Sequence, residues 1–164
     1  MIEIVTIQDL FNQPRMGIYA FINDFTKVAY VCHVNQFLTW FSRNAIDIGN
    51  GSHKHNFESD NYRLVRLGLY LYPDNRNIRY LEYDKMCHTL ENSGLTVHRN
   101  IPIRTFKVRP VLRRKDLFIE VSDSRGRVAS RKQFKNIEDA RKYVDNREIL
   151  DILVDIETEG VGYV

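Results

Sequence analysis

The sequence predicts an α+β protein: a small mixed sheet flanked by helices, followed by a three-stranded sheet with one helix. Three observations carry that expectation. Short runs rich in β-branched and aromatic residues occur in both halves of the chain, as strands require. Between and after them lie segments whose apolar residues recur at helical spacing. Charge is divided as well. Residues 1–98 hold 9 basic and 10 acidic side chains, residues 99–147 hold 15 and 6, and residues 148–164 hold 5 acidic side chains and no basic one. The net balances are therefore −1, +9 and −5. The composition changes at Asn100-Ile101-Pro102-Ile103, where a proline interrupts regular structure. This predicts a first domain over residues 1–100 and a second over 101–164, each of a size that can bury a core.

In the first part, Met16 to Ile22 and Val28 to Val34 read as strands joined by the turn residues Asn23 and Asp24, a β-hairpin. Residues 35–46 place Phe37, Leu38, Phe41 and Ala45 on one helical face behind Asn35 as N-cap. Gly49-Asn50-Gly51 ends that helix. Residues 62–72 read either as a helix followed by a strand or as one long segment, with Leu67 to Tyr72 a strand stopped by Pro73. Ile78 to Asn92 reads as a helix ending at Gly94.

In the second part, Phe106 to Arg109, Asp116 to Ser122 and Arg127 to Phe134 read as three strands, the last two joined by Asp123-Ser124-Arg125-Gly126. A helix follows over 136–144, capped by Asn136, with acids early and bases late, as the helix dipole favours. Lys107, Arg109, Arg113, Arg114, Lys115, Arg127, Arg131 and Lys132 fall on these strands or their connections. A net +9 over 49 residues attracts a polyanion, because each phosphate neutralised releases condensed counterions. Those eight residues are the candidate nucleic-acid contacts, with double-stranded DNA as the expected partner and a sheet in the major groove as the expected geometry. A solvated basic face, or one that partners the acidic segment Asp151 to Glu159, is the alternative.

The chain has no run of about 18 apolar residues and carries an acid at Glu3, where a signal peptide would be basic. The reading is a soluble, cytoplasmic protein without a membrane partner. Cys32 and Cys87 are too few and too far apart for a disulfide framework or a zinc site.

Gly17-Ile18-Tyr19 and Tyr30-Val31-Cys32, with eleven positions from tyrosine to tyrosine, resemble the paired signatures of the GIY-YIG nuclease family. The order hairpin, helix, Gly51-Ser52-His53-Lys54-His55-Asn56, strand and Glu-bearing helix is similar to that family over residues 16–100. The resemblance implies cleavage of phosphodiester bonds with one Mg²⁺. It matches Tyr19 and Tyr30 to the signature tyrosines, His53 to the mid-domain histidine, Glu82 to the metal-holding glutamate and Asn100 to a late asparagine. A tyrosine serves as a base only where neighbouring cations favour its phenolate, since its ordinary pKa is near 10.

Two positions depart from the pattern. Cys32 replaces the second signature glycine, and Trp40 stands where the family carries its catalytic arginine, ten residues after the second tyrosine. Tryptophan cannot stabilise charge developing on phosphate. Arg43, three residues on, is the candidate replacement. The leading expectation is a nucleic-acid-binding protein on a degenerate nuclease-like domain with weak or lost cleavage. An active Mg²⁺-dependent endonuclease using Arg43 is the second. A protein-binding inhibitor or regulator that keeps the fold as a scaffold is the third. Tyr19 and Tyr30 equally suit core positions in strands, and Glu82 suits a solvated helix face.

Overall fold

A computed structural model describes residues 3–4, 16–33 and 62–160. Contacts divide the chain into two units, Met1–Pro102 and Ile103–Val164. The expected helix over 35–46, the break at 49–51 and the segment 51–56 lie outside the described residues, and with them Trp40, Arg43 and His53.

The first unit is built on a hairpin of β2 (Gly17–Asn23) and β3 (Val28–His33). The Asn23 side chain makes its turn: Oδ1 accepts from the backbone amides of Phe25 and Thr26 at 2.9 and 3.1 Å. Strand β4 (Tyr62–Leu69) pairs antiparallel with β2, and β1 (Glu3–Ile4) pairs with β4. Residues 62–72 are thus one strand ending at Leu69, not a helix and not a strand running to Tyr72. A register shift between Ile18 and Tyr19 leaves Leu67 bulged and keeps it on the core side with Val65. Gly17 is required by packing, because a Cβ there would collide with the Gly68 carbonyl oxygen.

After Pro73 the chain enters α1 (Arg76–Asn92), whose Asn75 cap accepts from the Ile78 amide at 3.1 Å. Its end is a Schellman turn: Leu95 N–H bonds Leu90 O, Gly94 N–H bonds Glu91 O, and Gly94 has φ +98°. That turn delivers β5 (Thr96–Arg99) parallel to β3, an edge strand the sequence reading did not anticipate. The sheet order is β1-β4-β2-β3-β5. Helix α1 packs its Tyr83, Cys87 and Leu90 on the face formed by Ile18, Ala20, Ile22, Ala29 and Val31.

The second unit is an antiparallel sheet of β6 (Phe106–Arg113), β7 (Asp116–Asp123) and β8 (Val128–Phe134). Strand β6 runs four residues past the expected Arg109 and tolerates Pro110 because it is an edge. Helix α2 (Ile137–Val144) starts on Asn136, whose Oδ1 accepts from Asp139 N–H at 2.9 Å. The acidic segment forms a further helix, α3 (Ile149–Gly160), so this unit has two helices where the sequence suggested one. Buried Ala140, Ile152, Leu153, Ile119 and Val121 mark its core. Among the described residues no helix is long and apolar enough to cross a membrane.

Candidate functional site

Strand alternation decides what the first unit can bring together. Tyr19, with 0% exposure, lies directly opposite Arg66 on β4 and Cys32 on β3, so these three share one sheet face. Tyr30 is on that face too, stacked on His98 at 4.6 Å and 5.8 Å from Tyr62. Burial and the Tyr62 phenol raise Tyr30 above the usual tyrosine range, opposite to the shift a catalytic base needs. The Cys32 thiol is pushed up to about 12 by burial, which makes it inert at neutral pH.

Glu82 lies on α1, which covers the other face. The register therefore separates Glu82 from the two signature tyrosines instead of gathering them. Asn100 is on the Glu82 side only through its backbone: its amide donates to the Tyr83 hydroxyl at 2.9 Å, while the residue itself is exposed.

Around Glu82 stands a group the sequence pattern did not single out. The His33 ring, 8% exposed, has Tyr70, Tyr83 and Tyr80 at centroid distances of 5.1, 5.3 and 6.5 Å. The Tyr70 hydroxyl bonds His33 Nδ1, and the Tyr83 hydroxyl donates to Val31 O at 2.6 Å. Burial, with the Arg79 charge nearby, pushes the His33 imidazole down to about 4, so it is neutral at pH 7. Burial raises Glu82, partly offset by the Leu71 backbone amide. Arg79 Nε and Glu82 Oε2 are buried atoms that make no hydrogen bond. Their i, i+3 spacing on one helix was the available signal.

The second unit sorts the eight basic candidates. Cross-strand partners align Arg109, Glu120 and Arg131 in one row, and Val111, Phe118 and Gln133 in the next. Lys107 and Arg113 belong to the same face by alternation, and Lys107, Arg109, Arg113 and Arg131 are all exposed. Arg114 and Lys115 form the adjoining hairpin turn. Arg127, at the opposite turn, bonds Asp123 Oδ2 at 3.0 Å. Lys132 is not part of this set. It pairs with Ile119, itself opposite Pro110, on the other face, where Glu159 and Asp155 hold it at 2.8 and 3.7 Å and the Tyr143 ring lies 4.7 Å away. The acidic helix thus folds back on the sheet, but onto the face that lacks the row of arginines.

Two carboxylates share the basic face: exposed Asp116, the cross-strand partner of Arg113 at its end, and Glu120 at its centre. The Glu120 side chain is 1% exposed, and Arg113 grips both oxygens, Nε to Oε2 and Nη2 to Oε1, each at 3.1 Å. The Arg113 hydrogen bonds, then the charges of Arg113, Arg131 and Arg109, outweigh burial and keep Glu120 below the usual carboxylate range. Comparison with protein-family models, with curated proteins and with solved structures returned no match.

Proposed function

We propose that this chain is a nucleic-acid-binding protein that docks duplex DNA on the face of its three-stranded sheet opposite α2 and α3. The observation that carries the reading is the gathering of Lys107, Arg109, Arg113 and Arg131 on that one face, with Arg114 and Lys115 at its end. Lys107, Arg109 and Arg131 directed at phosphates, with Arg113 already neutralised by Glu120, make binding salt-dependent, a loss of about fortyfold between 50 and 200 mM salt. Fluorescence anisotropy with a labelled duplex at several salt concentrations tests this; affinity independent of salt would sink it. The first unit is read as a degenerate GIY-YIG-like domain. This reading rests on the order along the chain of hairpin, strand and Glu-bearing helix, while the separation of Tyr19 and Tyr30 from Glu82 argues for weak or lost cleavage.

A second reading, a Mg²⁺-dependent endonuclease, is favoured by the unpaired buried atoms of Arg79 and Glu82. Here Arg79 takes the role first given to Arg43. Glu82 would be the protein ligand of the cation, which keeps several waters and supplies charge stabilisation at the phosphate. Incubation of supercoiled plasmid with Mg²⁺ separates the readings. Nicking abolished by Glu82→Ala and by Arg79→Ala supports the enzyme, and an intact plasmid bound to wild-type protein supports the binding protein.

A further inference from the structure

We propose that Glu120 is a positioning residue that turns the basic sheet face from a general phosphate binder into a reader of the DNA major groove. The inference rests on the duplex-binding reading above. A surface selected only for attraction to phosphate would carry no carboxylate at its centre, since a negative charge there opposes the ligand. Glu120 occupies that centre, flanked in register by Arg109 on β6 and Arg131 on β8. It is almost fully buried, and a buried carboxylate persists only when it is well paired.

Its pairing fixes geometry. The two parallel bonds to Arg113 use two of the five N–H donors of that guanidinium and leave three to a ligand, with the plane held by the fork. Arg131 is steadied separately, its guanidinium carbon 5.6 Å from the centre of the Phe118 ring. Next to this row, Val111, Phe118 and Gln133 complete the face. Arginine suits the guanine edge, glutamine the adenine edge, and apolar side chains the thymine methyl. Phosphate binding alone has no use for such a mixture.

The dimensions favour DNA over RNA. Three strand axes about 4.8 Å apart span roughly 10 Å, close to the width of a B-form major groove, so a sheet lying across its mouth reaches the base edges through the side chains of this face. The deep, narrow major groove of A-form RNA does not admit a sheet.

The test uses the full chain. Wild-type protein selects its preferred duplex from a random library, and affinities for that duplex and a scrambled one are measured for wild type, Glu120→Gln and Arg113→Lys. Glu120→Gln removes a negative charge, so simple attraction predicts tighter binding to both duplexes. Positioning predicts at least a tenfold fall in the preference for the selected duplex, with affinity for the scrambled one unchanged or tighter. Arg113→Lys keeps the charge, loses the fork, and lowers the preference likewise; it stands in if Glu120→Gln fails to fold. An unchanged preference for the selected duplex in both variants overturns the inference, as does duplex binding by wild type without any sequence preference. Wild type that binds no duplex, or only an RNA or an acidic protein, overturns the DNA reading itself.

Discussion

At the scale of single residues, burial sets the chemistry more than residue type does. His33 had no recognisable partner pattern in the sequence, yet β3 alternation and the turn after β4 seat it against Tyr70. Its imidazole sits near 4 when folded and near 6.5 when unfolded, so the unfolded chain binds the extra proton between those values. The stabilisation is complete above pH 6.5 and is lost as pH falls toward 4, to the extent of about 3 kcal/mol. Urea unfolding of wild type and His33→Gln between pH 4 and 7.5 should show a steeper acid loss in wild type. Parallel curves would mean that the ring is not buried neutral. Lys132 gives the complementary case. Sequence placed it with the DNA contacts, but Asp155, Glu159 and Tyr143 surround it. Lys132→Met should change duplex affinity less than twofold while lowering stability by about 0.5–1 kcal/mol, since the partly exposed Asp155 and Glu159 lose their shared cation. A large affinity loss at unchanged stability would return Lys132 to the binding face.

At the scale of elements, what was legible was what is encoded locally. The first hairpin, α1, the three later strands and α2 follow from alternation, periodicity and the cap Asn136, all of which sit within a few residues of what they shape, whereas the α1 cap Asn75 was not read from the sequence. Strand β5 was illegible because four residues, Thr96–Arg99, carry no alternation of their own and are ordered by pairing with β3, more than sixty positions earlier. The helical state of the acidic segment was missed because its charge drew the reading, although Ile152 and Leu153 bury the apolar side. The face assignments of Glu82, Tyr19 and Tyr30 needed the sheet register, which motif spacing does not contain. One turn permits a prediction. Between β6 and β7 Arg114 alone has positive φ, +60°, the sign pattern of a II′ turn, which favours glycine first. Arg114→Gly should stabilise the protein by about 0.5–1 kcal/mol, the relief of left-handed strain less the added chain entropy. Urea titration checks it, and a destabilised variant would show that the Arg114 side chain makes interactions that outweigh the strain.

At the scale of the whole molecule, the net charge of +3 belongs to the second unit, since residues 1–102 hold 10 basic and 10 acidic side chains and residues 103–164 hold 14 and 11. The basic excess lies in residues 99–147, and in the second unit the acidic helix neutralises Lys132 rather than the arginine row. Binding governed by total charge would weaken equally whichever exposed cation is reversed. Binding built on one face would not. Arg109→Glu with Arg131→Glu reverses two members of the row beside Glu120, whereas Lys85→Glu reverses one exposed cation on α1 of the first unit. The double variant should lower the slope of log affinity against log salt by about 2, one for each phosphate that is no longer neutralised, and cut low-salt affinity by more than tenfold. Lys85→Glu should leave the slope where it was. Equal effects of the two would show that the sheet face has no privileged role and that the protein meets nucleic acid through its overall field alone.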